Sequence, residues 1–63
     1  MIYVVSKFYD KKRPQASLMT ESEVKELGWY DGFNESFASC DLYVDGFEDA
    51  DEATAFARQA RNA

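Results

Sequence analysis

Hydrophobic and polar positions alternate from the first residues. An extended chain puts Ile2, Val4, Ser6 and Phe8 on one side and Tyr3, Val5, Lys7 and Tyr9 on the other. The β-branched and aromatic content of MIYVVSKFY makes it the strongest strand signal in the chain. The charged turn DKKRPQ follows, and ASLMT (16–20) reads as a shorter returning strand. Residues 1–19 therefore predict a β-hairpin with a basic tip.

The pattern then changes period. In MTESEVKELG, Thr20 has the spacing of an N-cap with Glu23 three residues on, the signature of a capping box. Met19 and Val24 fit a hydrophobic staple, and Gly28 fits the left-handed position past a helix end. Only Val24 and Leu27 mark its apolar stripe, so this short helix depends on packing. WYDGFNE reads as an aromatic-rich loop or irregular hairpin around the Asp31-Gly32 turn signal. SFASCDLYV (36–44) is the second clear strand, with Ala38, Cys40, Leu42 and Val44 on its apolar face. Phe37, Ser39, Asp41, Tyr43 and Asp45 fall on the other face, and Asp45-Gly46 is expected to end the strand.

Residues 50–61 predict a helix, because Ala50, Ala53, Phe56, Ala57 and Ala60 recur at three- and four-residue spacing. Its alanines allow close approach to a sheet. Phe56 is the expected anchor, and its truncation costs about 3–5 kcal/mol if the ring is buried. The resulting expectation is an α+β domain spanning residues 1–63, in the order β-β-α-β-α. It has an antiparallel sheet of three or four strands, with both helices packed on one face. The N-terminal strand is placed beside the 36–45 strand, since these two carry the most apolar residues. YDGF and VDGF echo each other, and similar turns explain the echo better than a duplication.

Composition narrows the function. The chain has 63 residues, 46% of them hydrophobic and 16% aromatic, which is the make-up of a compact domain rather than a disordered one. It contains no His, which removes Ser-His and Cys-His dyads and His-based zinc sites. Cys40 is alone, so no internal disulfide forms, and it is expected as a small buried hydrophobe. A domain this small has little room for a catalytic cleft, so an enzyme is not expected. No segment reaches the length of a membrane span, and the apolar start is too short for a signal peptide, so the expected compartment is the cytoplasm.

The net charge of −5 is unevenly laid out. Lys7, Lys11, Lys12 and Arg13 face only Asp10 in the first twenty residues, while residues 21–55 set a run of acids against Lys25 alone. Arg58 and Arg61 make the end weakly basic. This balance argues against direct binding to nucleic acid or anionic membranes. The KKR tip at 11–13 reads as a solvated loop.

The densest acids lie in VDGFEDADEATAF. They do not form a calcium loop, because Gly46 follows Asp45 directly and Phe56 stands where the twelfth-position Glu belongs. Asp49, Asp51 and Glu52 fit the start of the last helix, where carboxylates face the positive end of the helix dipole. Asp31, Glu35, Asp41, Asp45 and Glu48 have no such role. Asp41 and Asp45 share one strand face, about 13 Å apart. With Tyr3, Tyr9, Phe37 and Tyr43 expected to face outward beside them, Asp41, Asp45 and Glu48 complete a candidate partner-binding surface.

The function these features suggest is a small acidic, non-enzymatic protein-binding domain that needs no cofactor. It acts as an inhibitor or adaptor and docks on another protein with a basic surface. Acids spaced like phosphates suit a nucleic-acid-binding partner by mimicry. Inhibitors that phages direct at host enzymes or defence complexes are one group of this size and charge, although no motif assigns the chain to it. The alternatives are a structural subunit or homodimer using an aromatic sheet face, and a carboxylate-based site for a divalent metal.

Overall fold

The computed structural model describes residues 1–62. Six elements follow one another: β1 (Ile2–Tyr9), β2 (Gln15–Thr20), α1 (Glu21–Glu26), β3 (Asn34–Ser36), β4 (Cys40–Phe47) and α2 (Ala50–Arg61). The fold is α+β, with a four-stranded sheet ordered β2-β1-β4-β3 and every neighbouring pair antiparallel. β1 and β4 pair centrally, as their apolar content predicts.

Both helix ends of α1 are built as their residue types require. The Thr20 hydroxyl accepts from the Glu23 N–H (3.2 Å), and the Glu23 carboxylate accepts from the Thr20 N–H (2.9 Å). At the other end, Gly28 takes a φ of 77° and its N–H donates to the Lys25 carbonyl. The Trp29 N–H reaches back to the Val24 carbonyl at 3.0 Å, which completes a Schellman closure. This closure turns the chain so that Trp29 returns toward the sheet. α2 starts at Asp49, whose Oδ1 accepts from the Asp51 N–H (2.9 Å).

Four expectations need correction. The two helices do not share a face. Val24 of α1 packs with Tyr3, Val5, Leu42 and Val44, whereas Ala53 and Ala57 of α2 pack with Val4 on the opposite side. The cause lies in β1, where Val4 and Val5 point to opposite sides and are both buried, so each side needs a cover.

The expected 36–45 strand is two strands. Residues 37–39 form a tight turn closed by the Phe37 N–H on the Cys40 carbonyl (2.8 Å), which adds β3 to the order and leaves Phe37 at an exposed tip. Cys40, just past it, is half-buried rather than buried.

Asp45-Gly46 does not end β4, which continues to Phe47. Gly46 faces Tyr3 across the ladder, and a Cβ there would lie 2.9 Å from the Tyr3 ring. Gly46 therefore serves to let an aromatic ring lie on the strand. Asp31-Gly32 is the turn its sequence predicts, with Gly32 at a φ of 90°. The two echoing tetrapeptides have different structures, and they touch: the Gly46 N–H donates to Asp31 Oδ1 (2.9 Å). That carboxylate extends the ladder where β3 has not yet begun, beside the Val44 N–H to Phe33 carbonyl bond (2.8 Å).

Candidate functional site

The ladder register decides which side chains meet. Val5 pairs with Val44, Ser6 with Tyr43, Phe8 with Asp41 and Val4 with Asp45. Directly opposed residues project to the same side of a sheet. Asp41, Tyr43 and Asp45 therefore share a face with Val4, Ser6 and Phe8, the face that α2 covers. Tyr3 and Tyr9 lie on the other.

The expected seven-residue surface thus divides. Tyr3 is 8% exposed and belongs to a core, sealed by α1 and by Trp29 and Phe33 of the loop, so its assignment to a binding surface is overturned. Tyr9 is half-buried at the far end of that same face, with the Lys12 ammonium 5.9 Å from its ring centroid. Phe37 is exposed, but at the hairpin tip rather than on the strand. Glu48 is exposed between β4 and α2. Asp41, Tyr43 and Asp45 remain together.

Their exposure follows from where α2 sits. The helix packs chiefly over β1 and β2, and its alanines, with Ala53, Ala57 and Ala60 buried, bring it close. The β4 half of the face stays largely uncovered. Phe56 is half-buried at the helix margin against Phe47 (centroids 5.2 Å apart), so the full cost expected for truncating a buried ring does not apply to it.

Between helix margin and strand lies a hollow of about 350 Å³ lined by Ser6, Phe8, Asp41, Tyr43, Asp45 and Phe56. Phe8 meets Tyr43 edge-on, with centroids 5.7 Å apart and the planes at 72°. Tyr43 is 42% exposed. Asp45 is half-buried, and burial, followed by the neighbouring Asp31 charge, pushes its carboxyl above the usual Asp range. Neither Asp41 nor Asp45 has an ion-pair partner among the described residues.

Ser6 is 1% exposed, and its Oγ has no hydrogen-bond partner among the described residues. A buried hydroxyl left so costs about 1–3 kcal/mol. Ser6, Phe8 and Phe56 are the members of this site that sequence reasoning missed. No local pattern marked them, because it is the β1–β4 register that pairs Ser6 with Tyr43.

Elsewhere, a wider hollow of about 600 Å³ at the β2 edge carries Lys7, Arg13 and Arg61 on its rim. The Arg61 Nε–H donates to the Ala16 carbonyl there (3.1 Å), which ties the end of α2 to the edge strand. The molecule is thus basic along the β2 edge and acidic toward β4.

No group of three Asp, Glu or Cys side chains suited to a metal ion comes together among the described residues. Among the same residues no helix is long and apolar enough to cross a membrane. Comparison with protein-family models, with curated proteins and with solved structures returns no match in any of the three.

Proposed function

We propose that the chain is a protein-binding domain, an inhibitor or adaptor, that docks the β4 half of its α2-bearing face on a basic surface of another protein. One observation carries this reading. Asp41, Tyr43 and Asp45 stand side by side on the part of the sheet that α2 leaves open, and neither carboxylate has a cation beside it. Tyr is enriched among interface anchors, and polar and charged groups form the rim around them. A partner that handles nucleic acid suits the acidic side best, because its surface is tuned to neutralise phosphates.

The test is an affinity capture from a host lysate at low and high salt, with the wild type beside a variant carrying Asp41→Lys, Asp45→Lys and Glu48→Lys. A partner held at low salt by the wild type, and lost both in high salt and in the variant, supports the reading. Capture of the same partner by the reversed variant sinks it.

A further inference from the structure

We infer that the hollow between β4 and the margin of α2 is a socket for one arginine side chain of the partner, its guanidinium held by Asp45 and the Ser6 hydroxyl against Tyr43. This deepens the docking reading and rests on it.

The argument begins with Ser6. A hydroxyl on the central strand, 1% exposed and without a partner, is a defect in a core but a ready acceptor in a socket. It lines the same hollow as two carboxylates and three aromatic rings. The combination selects a cation. An anion meets Asp41 and Asp45, and an apolar group leaves both the hydroxyl and the half-buried Asp45 carboxylate unsatisfied.

A single metal ion does not fit either. Asp41 and Asp45 are four positions apart along β4, about 13 Å between Cα atoms, too far to share one ion.

Among organic cations the geometry favours guanidinium over ammonium. A planar guanidinium has donors on several edges, so one edge can serve a carboxylate and another a hydroxyl while its face lies on a ring. The three-carbon stem runs along apolar walls, here Phe8 and Phe56. An ammonium is a compact, strongly hydrated charge that gains less from such walls. The volume of about 350 Å³ admits one long side chain with some water and sits near the lower limit for ligand sites generally. Asp31 lies close enough to Asp45 to raise its carboxyl, so an entering cation relieves a repulsion already present.

The probe is N-acetyl-arginine methylamide, titrated into the full chain and followed by amide NMR shifts, with the lysine equivalent run in parallel. Saturable shifts confined to the socket residues are expected, with the arginine probe tighter than the lysine probe. Asp45→Asn should weaken the arginine probe about tenfold, the scale of one hydrogen bond to a charged group. Ser6→Ala should weaken it by a smaller factor while melting no lower than the wild type. That pairing separates a ligand-binding hydroxyl from a structural one, since a purely structural Ser6 changes the melt and leaves the titration unchanged. Should Ser6→Ala not fold, Asp45→Asn, which keeps size and polarity, carries the test.

Shifts that fail to saturate, that spread over the acids of α1, or that persist unchanged in Asp45→Asn overturn the socket. Equal response to the lysine probe overturns the guanidinium assignment. A silent titration beside a salt-sensitive, reversal-sensitive capture removes the socket and leaves the docking face standing. Capture unaffected by charge reversal removes the docking face itself.

Discussion

The two faces of the sheet are closed by different means, and over β4 only one of them is closed. On one, Tyr3, Val5, Leu42 and Val44, with Met19 beside them on β2, lie under Val24, Trp29 and Phe33, supplied by a short helix and a loop. These are large, irregular covers, and the Schellman closure at Gly28 aims them. On the other, Val4 lies under the alanine stripe of α2, with Ile2, Phe47 and Phe56 at the margins. A straight helix faced with alanines fits closely but narrowly. It spans two strands and leaves the third half-open, so over β4 the face built with less side-chain bulk is the one left open.

This contrast predicts opposite sensitivities. The aromatic face should suffer most from truncation. Leu42, 3% exposed, belongs to this core, and Leu42→Ala is expected to cost about 3 kcal/mol. A chain of 63 residues commands roughly 3–9 kcal/mol in all, so a urea melt should show a large loss of midpoint or no cooperative transition. A shift no larger than that of a surface substitution would mean that the loop does not pack as a core.

The alanine face should suffer from enlargement instead. Ala57 is 1% exposed where α2 meets the sheet. Ala57→Leu forces helix and sheet apart and is expected to cost about 2 kcal/mol by the same melt. Tyr43→Leu, on the open half of that face, should stay within about 0.5 kcal/mol. Equal effects from the two substitutions would show that α2 covers the face more evenly than its contacts with β1 and β2 indicate.

How much of this was legible in the sequence depended on range. Features encoded within a few residues were readable: the Thr20/Glu23 box, the Gly28 terminator, the 50–61 helix and the basic-tipped hairpin all appear where their spacing places them. The register of β1 against β4 was not readable. β1 is apolar on both sides, so its alternation does not say whether Val4 or Val5 faces Val44, and a slip of one residue exchanges the faces of every side chain. That slip separates Tyr3 and Tyr9 from Tyr43 and brings in Ser6 and Phe8. Asp-Gly shows the same limit. At 31–32 it turns the chain, and at 45–46 it makes room for a ring from a strand forty residues away in sequence, a distance no local pattern spans. Asp31, read in the sequence only as part of a turn, also holds the Gly46 N–H.

The finest distinction between the faces lies in how two carboxylates respond to pH. Glu23 belongs to α1, where the Thr20 backbone N–H and then its hydroxyl hold the carboxyl below the usual Glu range. Its folded pKa lies below its unfolded one, so it stabilises the fold above the unfolded value of about 4.3, and this is lost as pH falls through the folded pKa. Asp45, on the open face, is raised by burial and then by Asp31. Its folded pKa lies above the unfolded value of about 3.9, so the ionised group weakens the fold above the folded pKa. That penalty fades as pH drops from the folded toward the unfolded value. Asp45→Asn should therefore be more stable than the wild type at pH 7, and Glu23→Gln less stable. The Asp45 difference should close as pH falls to the unfolded Asp value, and the Glu23 difference only as pH falls through the lowered pKa of Glu23 itself. Urea melts of the three proteins at neutral and acid pH decide the matter. An Asp45→Asn variant less stable than the wild type at pH 7 would show that the carboxylate supports the fold, leaving it no strain for a partner's cation to relieve.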